Sequence, residues 1–137
     1  MNRLELQGLA KERLSDAKLL LAARHWSAAY YLAGYAVECA LKACIAKMMR
    51  PEEFPDKTFT DKCWTHNLPQ LVVVAGLKED FEIALKADPD LADKWVTVKD
   101  WSESSRYARI LKMDAEDLYA AITDKRHGVF PWLKLRW

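Results

Sequence analysis

Glu38 and Lys42 stand one helical turn apart in the stretch Ala28-Ala-Tyr-Tyr-Leu-Ala-Gly-Tyr-Ala-Val-Glu-Cys-Ala-Leu-Lys-Ala-Cys44, which is otherwise apolar on nearly every face. A helix that is apolar all round must be buried by neighbours on several sides. A carboxylate in such a helix is costly unless it is paired or hydrogen-bonded. Glu38 is therefore either a structural anchor or part of a site. The other residues with chemistry to offer are His66, the run Ser105-Arg106-Tyr107, and Tyr31 on the same helix as Glu38. An arginine and a lysine hold phosphate, a histidine moves protons, and tyrosines supply a face for a ligand. The set fits a crevice for a nucleotide or a phosphate, with Arg106 near Glu38 and His66 lining the same crevice. The alternative is a buried Glu38–Arg106 pair that ties the Ser-Arg-Tyr loop to the helix. Removing one member of such a pair typically costs ~3–5 kcal/mol, so structure alone accounts for both residues.

Two weaker patterns stand beside this one. Cys63-x-x-His66 has the spacing of half a zinc site, but no second pair completes it, and no metal or cofactor is expected. The tail Lys125-Arg-His-Gly-Val-Phe-Pro-Trp-Leu-Lys-Leu-Arg-Trp137 interleaves basic and aromatic residues, a pattern that suits stacking on bases. The simpler reading docks Phe130, Trp132 and Leu135 on the body of the protein and leaves the cations to complement a helix C-terminus.

The elements that must position these groups are helical. The chain has 137 residues, which fits one domain over 1–137 with a core of its own. Only 4 Gly and 5 Pro punctuate it, which favours long helices over many short strands. With 21 Lys+Arg against 20 Asp+Glu, the whole surface is not a nucleic-acid magnet, although a local basic patch remains open. The first residues carry charge and no apolar core of a signal peptide. The longest uncharged run in the apolar helix, Trp26 to Val37, is well short of the ~20 residues a membrane span needs. The three cysteines include two in the apolar helix, where they are expected to be reduced, which points to a cytoplasmic home.

Periodicity predicts a first helix from about Arg3 to Arg24 and a second from about Ala28 to Met49, capped by Ser27, the two forming an antiparallel hairpin. Arg50 to His66 reads as a loop, followed by a short helix from Asn67 to Ala75 with Asn67 as cap. Helical turns are expected over Glu79–Lys86 and Leu91–Val98, and an ordered loop over Asp100–Tyr107. The last helix is expected to start at Asp114 as cap, with Asp117 completing an acidic capping box, and to kink at Gly128 and Pro131.

Tyr30-Tyr-Leu-Ala-Gly-Tyr-Ala-Val-Glu-Cys-Ala-Leu-Lys42, followed in order by His66 with Leu68, Ser105-Arg106-Tyr107 and Trp132, resembles the HEPN family of prokaryotic helical domains. The resemblance covers nearly the whole chain, and the second-helix signature is its specific part. It implies an all-α, up-and-down bundle of four or five helices that usually dimerises. It also implies one of two roles. Some members are metal-independent ribonucleases, often toxins of toxin–antitoxin pairs, and others are binding or accessory partners of a minimal nucleotidyltransferase. The ribonucleases carry an Arg, four to six residues, and then a His near the last helix. Here neither Arg106 nor Arg109 reaches a histidine at that distance, and Arg126 has His127 directly beside it. Adjacent residues diverge by ~100° around a helix and do not converge on one phosphate. The expectation is a non-catalytic nucleotide-binding or accessory module, a homodimer with a nucleotidyltransferase partner and with nucleotide or RNA as ligand. A ribonuclease toxin and a structural dimerisation domain are the alternatives. The ligand-binding residues expected on this reading are Tyr31, Glu38, Lys42, His66, Ser105, Arg106 and Tyr107.

Overall fold

The computed structural model describes residues 1–137 and is all-helical, with no strand. Helix α1 (Arg3–Ala22) opens with a capping box, in which Asn2 accepts from the Glu5 N–H and Glu5 accepts from the Asn2 N–H. Its Ala10, Leu14 and Ala17, spaced four and three apart, are buried. Arg24 takes a positive φ of 63° in the three-residue connection to α2 (Trp26–Met48), and the two helices then pack side by side along most of their length. Every residue from Ala36 to Leu41 is buried, which is what an all-apolar helix at the centre requires. Ser27 is not the cap of α2. The helix begins one residue earlier, and Ser27 Oγ instead accepts the Ile110 N–H at 2.9 Å, tethering the chain ahead of the seventh helix.

The remaining helices are shorter and wrap this hairpin. They are α3 (Lys57–Cys63), α4 (Leu68–Val74), α5 (Lys78–Ala87), α6 (Pro89–Lys99), α7 (Lys112–Thr123) and α8 (Val129–Lys134), with a 3-10 segment, Glu103–Tyr107, between α6 and α7. The helical bundle is thus more divided than the expected four or five elements. Helix α3 falls inside the expected loop, because Asp56 caps it by accepting the Phe59 N–H after Pro55 has ended the preceding turn. Helix α4 is capped by Asn67 as the sequence suggests. Asp88 ends α5 and starts α6 at once, its Oδ1 accepting the N–H groups of Asp90 and Leu91.

Helix α7 starts at Lys112, before Asp114. Leu111 stands at the cap with no side-chain bond, and Asp114 lies in the first turn, where its charge complements the helix dipole. The break before α8 is an Asp124 turn, in which Oδ1 accepts the N–H groups of Arg126 and His127. Gly128 follows because a Cβ there would collide with the Asp124 and Ile122 carbonyl oxygens. Pro131 sits in the first turn of α8, where a missing N–H costs nothing. Phe130 and Leu133 are buried and Trp132 packs at 4.7 Å against Phe81, whereas Leu135 points to solvent rather than docking. No helix is long and apolar enough to cross a membrane.

Candidate functional site

Tyr31, Glu38 and Lys42 lie on one stripe of α2, with Tyr35 between them. The Tyr31 and Tyr35 rings are nearly parallel with centroids 6.2 Å apart. Trp101 closes the top of the stripe. Its indole rests on Gly34, where a Cβ would collide with the ring, and lies 6.0 Å from Tyr31. The 3-10 segment that follows Trp101 is thereby laid along α2.

Glu38, 2% exposed, is the one buried carboxylate, and no other charged side chain is buried. Its Oε1 accepts from Lys42 Nζ at 2.9 Å and from His66 Nδ1 at 2.8 Å, while Oε2 has no partner. His66 stands just before the Asn67 cap of α4, in a turn pinned by Thr65, whose hydroxyl accepts the Asn67 N–H and donates to Gln70. The far edge of the His66 ring, Nε2, lies 3.1 Å from Glu103 Oε2. A buried carboxylate, a lysine, an imidazole and a second, half-exposed carboxylate thus form one connected group. Around it the other titratable groups are held neutral. Burial, chiefly, pushes the Tyr35 phenol up to about 12 and the Cys39 thiol up to about 11, so Cys39 is no nucleophile at neutral pH.

Arg106 does not pair with Glu38. The oxygen of Glu38 that faces outward is already taken by Lys42 and His66, and Arg106 lies instead 4.8 Å over the Tyr107 ring. Tyr107, and after it Tyr31, raises the guanidinium further above its ordinary value, so the cation is permanent. Tyr107 is 80% exposed, and the Ser105 hydroxyl is turned inward without a partner. The structure therefore brings Tyr31, Glu38, Lys42, His66 and the Ser105–Tyr107 segment to one flank of α2. The sequence reading missed Trp101 and Glu103. Gly34 in the middle of a helix was the available sign of a large ring seated on the backbone. Glu103 gave no sign, since it looks like any surface acid.

A second polar cluster joins Asp88, Asp90 and His127, whose candidate ligand atoms lie within 4.8 Å of one another. Both Asp88 oxygens are committed, Oδ1 to the α6 cap and Oδ2 to His127 Nδ1 at 2.7 Å, so the cluster reads as a clamp between α6 and the α7–α8 turn. Two surface grooves have linings that do not include Glu38. One of about 420 Å³ runs between Met48, Met49, Phe54 and Phe59, and another of about 620 Å³ between Thr58, Lys62, Gln70 and Val73. No family model, curated protein or solved structure matches this chain.

Proposed function

We propose that the chain is a non-catalytic module that binds a nucleotide through the Arg106–Tyr107 flank of α2 and serves a minimal nucleotidyltransferase as accessory partner. The observation that carries this reading is the pairing of a permanent cation with a bare aromatic ring. Arg106 over an exposed Tyr107 offers charge for a phosphate and a π-face for a base in one place. Catalysis finds less support at the same place. His66, the natural base, has both ring nitrogens turned to carboxylates, and Glu38 is spent on Lys42 and His66. The accessory role and the homodimer rest on the resemblance of the Glu38–Lys42 helix, His66 and Ser105-Arg106-Tyr107 to HEPN domains. Phe54, 99% exposed, and the largely exposed Trp64 offer apolar surface for such an assembly.

Calorimetric titration with ATP tests the binding. Arg106→Ala is expected to abolish the heat, and Tyr107→Ala to weaken affinity by roughly tenfold, the order of one lost stacking contact. No heat with ATP at millimolar concentration would defeat the reading. Native mass spectrometry of the protein taken from its host tests the partner, which should appear as a second chain of nucleotidyltransferase size.

A further inference from the structure

His66 touches two separate elements with opposite edges of one ring. Nδ1 is 2.8 Å from Glu38 Oε1 on α2, and Nε2 is 3.1 Å from Glu103 Oε2 on the 3-10 segment. A neutral imidazole has one N–H, and only the imidazolium donates from both nitrogens. With a carboxylate oxygen at each edge, the ring satisfies both only when it is charged. We propose that His66 is a proton-operated latch that holds the Glu103–Tyr107 segment against α2 as imidazolium and lets it go on losing one proton.

The order of release follows from burial. Glu38 is inside the protein and an unpaired acceptor there is expensive, so it keeps the remaining N–H. Glu103 is about half exposed and turns to water. The charged and titratable groups facing the ring are Glu38 and Lys42 from α2 and Glu103 from the 3-10 segment. Cys63, at the end of α3, lies beside Lys42, and burial raises its thiol. Tyr35 and Cys39 flank Glu38, pushed to about 12 and about 11 by burial first of all. Imidazole is the side chain among them that changes charge between about pH 5 and 8.

The segment is lightly tied. Its backbone hydrogen bonds are local, from Ser105 N–H to the Ser102 carbonyl and from Ala108 N–H to the Ser105 carbonyl; the His66–Glu103 pair is its one ion pair to the rest of the chain, and Arg106 beside Tyr31 adds a polar contact to α2. Three of the four buried side-chain polar atoms without a partner lie along this seam: Glu38 Oε2, Trp101 Nε1 and Ser105 Oγ. Ser105 Oγ moves with the segment and is buried without a partner on closure, a cost set against the closed form. Trp101, seated on Gly34, is the fixed end about which Ser105, Arg106 and Tyr107 swing. The latch does not depend on what the protein binds.

The test is amide exchange at Ser105 and Ala108, read by NMR from pH 5.5 to 8.5 as protection relative to the unfolded chain at the same pH, while the His66 ring signals report its own titration. Protection at both amides is expected to fall by roughly two- to fivefold, the range of a partly exposed charge pair, with the midpoint of the His66 ring. In Glu103→Gln, a half-exposed site whose change leaves the core intact, the fall should vanish while the ring still titrates. Protection that stays level through the His66 titration, or that falls equally in Glu103→Gln, overturns the latch.

Discussion

Gly34 and Trp101 share one space: the indole of Trp101 occupies the position that a Cβ on residue 34 would fill, and the ring is 2% exposed as a result. A rigid bicyclic ring against a helix backbone has no flexible end to yield. Gly34→Ala therefore sets the better helix propensity of alanine, ~1 kcal/mol, against an overpacking cost of ~1–3 kcal/mol. The expected outcome is a net loss of about 1 kcal/mol in urea unfolding, with tryptophan emission shifted to the red as Trp101 lifts into water. A stabilised variant with unchanged emission would contradict the packing described.

Glu38 is expected to matter for stability whatever the site binds. Glu38→Ala removes the acceptor shared by Lys42 and His66. Both partners are partly exposed and turn to solvent, so the loss should fall at or below the low end of the ~3–5 kcal/mol range for a broken buried pair. Glu38→Gln keeps an acceptor in place and should lose less. Chemical denaturation of the two variants checks the order.

The Asp88–His127 clamp makes a prediction for acid. The hydrogen bond from His127, more than the helix-cap bonds, holds the Asp88 carboxyl below the usual carboxylate range. The Asp124 carboxyl is lowered as well, chiefly by the His127 backbone N–H. A carboxyl lowered in the folded state contributes stability above its unfolded value and loses it as pH falls through the folded one. Asp88→Asn should therefore lower stability most near neutrality and flatten its fall with acid, since the contribution it removes is one the native chain itself loses at low pH; denaturant unfolding followed by circular dichroism at 222 nm across the acid range checks this.

Thiol chemistry should separate the three cysteines. Burial pushes Cys44 up to about 11 and Cys39 likewise, and both are in the core. Cys63 is half-buried at the end of α3. A disulfide reagent at pH 8 should label one thiol per chain quickly and the other two only in denaturant. Rapid labelling of all three would mean that α2 is not the central helix.

Much of this was legible from spacing alone. The all-apolar helix with a carboxylate one turn from a lysine foretold a buried, paired Glu38, and His66 does reach it. The Asn67 cap and the Gly128 break were readable because capping and backbone crowding act within a few residues. Helix α3 was not readable, since Pro, Asp and Thr suit a turn as well as a capped first turn of helix. Nor was the choice of Glu103 over Arg106 as the outer partner of the site. It depends on how Trp101 seats the 3-10 segment, a contact between residues far apart in the chain that no local pattern encodes.

Asp88 has a consequence for how the chain tolerates change. It is both the C-cap of one helix and the N-cap of the next, and it also holds His127. No slack exists at that elbow. One inserted residue would turn α6 by ~100° about its axis and carry its carboxylate off the imidazole, whereas the stretch from Arg50 to Pro55 can lengthen without disturbing a single cap. The α5–α6 elbow and the α7–α8 turn are thus tied twice, by Asp88 on His127 and by Phe81 packed against Trp95 and Trp132.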